Sequence, residues 1–343
     1  MADTGSPTLT RPRLLQMMQA YKETSLIKTG MQLDLFDHLA EAGTMDVAAA
    51  SLAIDSDPRG TKILLNALAA LRVIETDGSH YWLARGADEL LVRKSDAFVG
   101  DMVHVFASDY EWDSLKHFAA AVRKGGTVDD VHAETPEYEY WEAFADHMPL
   151  VAKPTADVLA DAIEPWAADR EQLDVLDMAC GHGVYGYTVA QRYQQAQVWS
   201  LDWQNVLEVA ASHAERMGVR DRTHLITGDM FDIPLGGPYD LVLITNVLHH
   251  FSEERAAALV KRAASVLKPD GRLGVVGFTT SDALPQDDPA PHLFSVLMLA
   301  WTYEGEVHSE ASYRNIFEGA GFSLPTISTV PGIPFRVLVA ARS

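Results

Sequence analysis

Three carboxylates stand where predicted strands end. Asp177 opens the run Asp177-Met178-Ala179-Cys180-Gly181-His182-Gly183, which continues to Gly186 and so contains a G-x-G-x-x-G. Such glycines let backbone approach a ligand at a helix start, and alone the pattern fits a nicotinamide or flavin fold, or only a tight strand-to-helix turn. Asp202 ends the next strand 25 residues later, placed to accept hydrogen bonds from a ribose diol. Asp229 follows the strand after that, in Gly228-Asp229-Met230-Phe231. There a carboxylate can accept from an exocyclic amine, while Met230 and Phe231 offer apolar surface to a purine. An acid before the glycines repels a pyrophosphate but can orient an ammonium group, directly or through water. The set therefore suits a nucleoside that carries positive charge and no phosphate.

A fourth strand continues into Asn246-Val247-Leu248-His249-His250-Phe251. Paired histidines at a strand end can be a general base, metal ligands or polar packing. A neutral imidazole within reach of a phenol or enol can take its proton as a bond forms to oxygen, an effect of about 10² to 10⁴ in rate. Alternatively His249, His250, His292 and His308 could gather around a metal holding an enolised 2-oxo acid. Neither H-E-x-x-H nor a carboxylate-rich ligand set accompanies them, and the expectation is no metal. Acceptor shape falls to Trp141, Phe144, Met148, Phe294, Leu297, Met298, Trp301 and Thr302. Their spacing also suits ordinary core, but as a lining they imply an apolar, aromatic pocket without an Arg or Lys clamp. A flat aromatic or polyketide-like acceptor fits best.

The elements that must position these residues alternate from Leu173 onward. Strands are predicted at Leu173–Met178, Gln197–Leu201, Thr223–Thr227, Leu241–Thr245 and Leu273–Phe278, with helices at about 184–193, 206–217 and 253–267. That alternation indicates a mainly parallel sheet covered on both faces, with ligands bound beyond the carboxyl ends of its strands. The first half differs. Apolar residues from Leu14 to Leu39 are too many for one stripe, so helices buried on more than one side are expected, with a partner chain able to supply the second surface. A short helix at 47–53, a helix opening at Pro58, and strands around Asp77-Gly78 complete a winged-helix order. The expected division is 1–105 for this domain, 106–165 for a helical connector that contributes to the acceptor pocket, and 166–343 for the α/β domain.

In order and spacing, the glycine loop, Leu201-Asp202-Trp203, Gly228-Asp229-Met230-Phe231 and Leu267-Lys268-Pro269-Asp270-Gly271-Arg272 resemble the class I S-adenosylmethionine-dependent small-molecule O-methyltransferases that carry an N-terminal winged-helix dimerisation domain. The resemblance implies a Rossmann-like domain with a mainly parallel seven-stranded sheet, S-adenosylmethionine as cofactor, and a homodimer formed through the first domain. It implies that Asp177, Gly181 and Gly183 surround the methionine part, that Asp202 holds the ribose, and that Asp229 and Met230 flank the adenine, with Trp203, Phe231 and Thr245 beside them. Phe144 and Met148 match a segment that folds over cofactor and acceptor, and Met298 and Thr302 belong to the acceptor side. The catalytic histidine falls on His249, with His250 where the family commonly has Asp. Two supporting glutamates are usual in the family. Here Gly277 and Phe278 stand at the first position, and Val307 at the second with Glu306 beside it.

Composition bounds the alternatives. The formal net charge is −21, from 27 basic and 48 acidic residues, and such a surface repels phosphate backbones and anionic lipid. From Thr44 to Lys94 there are six basic and seven acidic residues, a poor footprint for DNA. No run of about 18 apolar residues occurs and Met1–Arg13 lacks an apolar core, so a cytoplasmic protein is expected. The single cysteine, Cys180, agrees with a reducing compartment. The expected function is methyl transfer to a hydroxyl of an aromatic or enolic small molecule in secondary metabolism. C- or N-methylation on the same scaffold, and a non-catalytic winged-helix regulator, are the competing readings.

Overall fold

The computed structural model describes residues 8–343; Met1 to Pro7, part of the Met1–Arg13 stretch read above as lacking an apolar core, lie outside the described residues. The chain divides after Ser108 rather than after residue 105, and the expected connector is part of the second unit, Asp109–Ser343.

Besides short helices at Ala87–Leu91 and Val103–Phe106, the first unit has the helices Arg11–Met17, Tyr21–Gln32, Leu35–Ala42, Val47–Ala53 and Pro58–Ala70. Asp57 starts the last of these, accepting from the backbone of Arg59 and Gly60 ahead of Pro58 at the first helical position. Strands Ile74–Thr76 and His80–Leu83 form the expected hairpin, and Met45–Asp46 adds a third strand that the sequence did not announce. Met31, Leu35, Phe36, Leu39, Leu65 and Leu68 form the core. The expectation of burial on several sides holds only for this later part. Arg11–Met17 has no buried residue, and Leu14, Leu15, Met17, Met18 and Tyr21 are exposed.

The second unit holds a seven-stranded sheet: β1 (Leu173–Met178), β2 (Ala196–Asp202), β3 (Thr223–Thr227), β4 (Tyr239–Thr245), β5 (Leu267–Phe278), β6 (Thr326–Thr329) and β7 (Phe335–Ala341). The order is β3-β2-β1-β4-β5-β7-β6, parallel except that β7 runs antiparallel to both its neighbours. β1 and β4 are buried along their whole length, as central strands in a doubly covered parallel sheet should be. Helices at Asp109–Lys116 and Phe118–Lys124, followed by α1 (Tyr140–His147), α2 (Pro149–Ala167), α3 (Val184–Arg192), α4 (Gln204–Arg216), α5 (Glu253–Ser265), α6 (Pro289–Trp301) and α7 (Glu310–Gly319), complete the unit. One core cluster joins α2, α3 and α4 to the sheet, and a second joins α5 and α7 to it. β5 is longer than predicted and takes in the Lys268-Pro269-Asp270-Gly271 stretch at its start.

Strand order reverses between β1 and β4, because the chain builds outward to β3 before returning to pair β4 with β1. The loops leaving these two strands diverge and open a crevice at their carboxyl ends. At the opposite end of the strands, Asp240 is buried between Arg170 at 2.6 Å and Lys268 at 2.7 Å and accepts from the Asp174 backbone. Part of the acidity is thus structural rather than solvated surface.

Candidate active site

The crevice is a cleft of about 900 Å³ at the carboxyl ends of β1, β2 and β4. Its wall includes Gly181, Asp202, Trp203, Asp229, Met230 and Phe231, together with Thr245, His250, Trp141 and Phe144. The sequence thus brought ten of its expected site residues to one surface.

Asp202 is fixed before any ligand arrives. Its two oxygens accept from the backbone N–H of Gly181 and of Trp203, each at 2.8 Å, which ties the glycine loop to the end of β2. Burial nevertheless pushes its carboxyl up to about 6, against the lowering effect of those two donors. Each carboxylate oxygen has a second acceptor site, so further donors from a ligand are accommodated. Asp229 accepts from the Phe231 backbone at 2.8 Å, which turns Met230 and Phe231 into the cleft.

Other expected contacts lie off the wall. Asp177 is fully buried behind the glycine loop, where one oxygen accepts from the Gly186 backbone at 3.1 Å and the other has no partner. Burial raises this carboxyl well above its usual range, and in the structure it is bonded to the start of α3 and does not line the cleft. Gly183 caps α3 with φ +72°, and a Cβ there would lie 2.2 Å from the Tyr187 ring; it shapes the turn without lining the cleft. Met148 and Met298 are buried away from the wall. Thr302 is buried too, its hydroxyl donating to the Met298 carbonyl at 2.7 Å and accepting from Gly305 at 2.7 Å. In the structure Met148 stands at the junction of α1 and α2, Met298 is buried within α6, and Thr302 closes the turn that ends α6.

The histidines separate. His250 is on the wall, tilted against Trp141 with ring centroids 5.2 Å apart, and burial pushes it down to about 4. His249 lies behind it, off the wall and 2% exposed, edge-on to Phe294 at 4.9 Å with Phe278 beyond. Burial, and then the neighbouring His250 and His308, hold it well below the ordinary imidazole range. His308 points its Nε2 at the Leu248 carbonyl, 3.1 Å away, and among the described residues no group of three or more His, Cys, Asp or Glu is arranged to hold a metal ion. The four-histidine cluster is therefore not assembled.

Among the wall residues that were not anticipated are His182, Tyr185, Asn246, Glu134 and Arg255. Asn246 had a signal, being the first residue past β4. Its Nδ2 donates to the Tyr185 hydroxyl at 3.2 Å, and its Oδ1 is buried without a partner. Glu134 and Arg255 had none, because they meet only in the fold. Arg255 bonds Glu134 at 2.5 Å and lies over the rings of Phe231 and Phe251, while the other Glu134 oxygen accepts from the Tyr303 backbone. Three wall carboxylates thus face one guanidinium that is already paired, leaving a negative cleft suited to a cation and hostile to a pyrophosphate.

Comparison with known proteins agrees with this geometry. The family model for the O-methyltransferase domain matches residues 142–323, and the model for the O-methyltransferase dimerisation domain matches residues 15–93. A 3-amino-4-hydroxybenzoate 4-O-methyltransferase of Streptomyces cremeus is 24% identical, covering 96% of this chain and 90% of the relative. An O-demethylpuromycin-O-methyltransferase of Streptomyces alboniger is 26% identical over 96% and 88%. A solved structure from Nostoc punctiforme, assigned as an O-methyltransferase, superposes with a TM-score of 0.89 at 30% identity, covering 97% of this chain and 100% of that one. Human N-acetylserotonin methyltransferase in complex with SAM shares the fold, with a TM-score of 0.79 at 21% identity over 99% and 100%.

Proposed function

The chain belongs to the S-adenosylmethionine-dependent O-methyltransferases, carrying both the methyltransferase and the dimerisation domain of that family, and on that premise we propose that it methylates a hydroxyl of an aromatic or enolic small molecule with His249 as the base. The observation that carries the cofactor part is the negative cleft built around a pre-fixed Asp202. Asp202 accepts from the ribose hydroxyls, and Asp229 accepts from the adenine amine between Trp203, Met230 and Phe231. Asn246 Oδ1, buried and unpartnered on the wall, accepts from the ammonium end of the methionine part near Gly181 and Thr245. S-adenosylmethionine, when bound, supplies a methyl group held on a sulfonium.

The chain's own residues then do two things. Trp141 and Phe144 exclude water and hold a flat acceptor, and orientation of this kind contributes up to roughly 7 to 11 kcal/mol in favourable cases. His249 takes the hydroxyl proton at Nε2, since its Nδ1 is buried on the side of Gly277. The Streptomyces relatives named for an aminohydroxybenzoate and for O-demethylpuromycin support an aromatic acceptor from secondary metabolism. The exposed Leu14, Leu15, Met17, Met18 and Tyr21, beside or within the matched dimerisation segment, support a homodimer. No described helix is long and apolar enough to cross a membrane, and the one cysteine is free and buried, which suits the cytoplasm.

Calorimetric titration with S-adenosylhomocysteine and with NAD tests the cofactor assignment. Saturable binding of the first and none of the second is expected; tight NAD binding with no response to S-adenosylhomocysteine would overturn it.

A further inference from the structure

His249 lacks what a strong base needs. A catalytic imidazole is held in one tautomer, and its protonated form stabilised, by an acceptor on the nitrogen that does not meet the substrate. Here Nδ1 is buried and has no hydrogen-bond partner. The element facing it is β5 at Gly277, where a Cβ would lie 3.5 Å from Nδ1 and 3.9 Å from the Tyr313 hydroxyl, in ordinary contact with both. A side chain would fit, but glycine supplies none. The residue opposite Gly277 on β7 is Arg336, and its guanidinium reaches Asp288 at 3.4 Å. From the remaining sides come His250, the aromatic rings of Phe278 and Phe294, and His308, whose Nε2 is directed at the Leu248 carbonyl. Glu306, the one nearby acid that sequence spacing offered, is exposed, while Val307 beside it is buried. No carboxylate among these neighbours can hold a proton on His249.

We infer that the acceptor's reacting hydroxyl is intrinsically acidic, ionising near or below neutral pH, as in an enolised 1,3-dicarbonyl, a hydroxyquinone or a phenol conjugated to an electron-withdrawing group. The inference rests on the O-methylation reading above and narrows it. A proton moves efficiently between groups of similar pKa, so a buried, unsupported imidazole serves a hydroxyl whose own pKa is low. The hydroxyl proton passes to His249 Nε2 and from there to water. The freed oxygen pair forms the C–O bond, the C–S bond breaks, and its electron pair returns to sulfur as a neutral thioether. Positive and negative charge are annihilated together, a change that an apolar, low-dielectric enclosure favours.

The test uses the whole wild-type protein and a set of hydroxy-aromatic acceptors on one scaffold, with hydroxyl pKa values from about 5 to about 10, the upper end being that of an ordinary phenol. Product is read by mass spectrometry with methyl-labelled S-adenosylmethionine. At fixed pH, kcat/KM is expected to fall roughly five- to tenfold for each pKa unit above the buffer pH, and the midpoint of the pH profile should move with the acceptor. Gly277→Asp, which offers Nδ1 a carboxylate, should raise turnover of the weakest acids at least tenfold relative to the strongest; if it does not fold, the wild-type series still decides. A flat series, or a pH midpoint common to all acceptors and removed by His249→Gln, overturns the inference while leaving O-methylation standing. Binding of S-adenosylhomocysteine with no label on oxygen in any acceptor overturns both.

Discussion

At the scale of single residues, Asp202 and His249 show how one protein uses burial in opposite directions. Burial raises Asp202 to about 6, so in the free protein its carboxyl gains a proton as pH falls through that value. Ribose hydroxyls donate to the ionised form, so affinity for S-adenosylhomocysteine is expected to weaken below pH 6, approaching tenfold per pH unit, with proton release on binding between pH 5 and 6. Titration calorimetry in buffers of different ionisation enthalpy checks this, and pH-independent affinity from 5 to 8 would contradict it. Asp202→Ala should cost about 1 to 3 kcal/mol of that affinity, some ten- to hundredfold in Kd. His249→Gln should lower kcat by about 10², the lower end for a general base, with cofactor affinity unchanged. Asp202 and Asp229 were legible in the sequence because each stands at or just past the carboxyl end of a predicted strand. Asp177 shares that position, yet it turns inward to the Gly186 backbone. Which way a strand-end carboxylate turns depends on where the following helix places its free N–H groups, and spacing does not encode that.

At the scale of elements, the cleft depends on how tightly α3 seats against the sheet. Gly183 holds a left-handed conformation at its start and Gly186 lies under Val198 and Asp177, where a Cβ would come within 2.8 Å and 2.9 Å. Gly183→Ala should therefore destabilise the fold by about 1 to 3 kcal/mol, read as a lower Tm, and loosen cofactor binding with it. Glu134 and Arg255 join the segment before α1 to α5 across the cleft. Glu134→Gln should raise the dissociation rate of S-adenosylhomocysteine severalfold, about 1 kcal/mol for a partly exposed pair, and 0.5 M salt should narrow the difference from wild type. Stopped-flow displacement measures both. β1 and β3 end where the sequence predicts, since a fully buried strand and a strand bounded by turn residues are both sharply marked. β6 and β7 were not delimited: they are only partly buried and owe their pairing to the long β5, a partner far away in sequence.

For the whole molecule, the charge of −21 divides among a negative cleft, the buried Asp240 cluster at the opposite strand ends, and exposed surface. Self-association is expected through the first unit. Leu14→Lys with Met18→Lys, both exposed, should shift the protein from dimer to monomer in analytical ultracentrifugation with little loss of monomer Tm. An unchanged dimer would move the contact elsewhere. Transfer of a methyl group to oxygen is tested most directly by locating that group in the product. Product formed from S-adenosylmethionine carrying a ¹³C-methyl, analysed by mass spectrometry and carbon NMR, should show the label as a methoxy carbon. A label on carbon or nitrogen, or no labelled product from any hydroxylated acceptor by protein that binds S-adenosylhomocysteine, would contradict it.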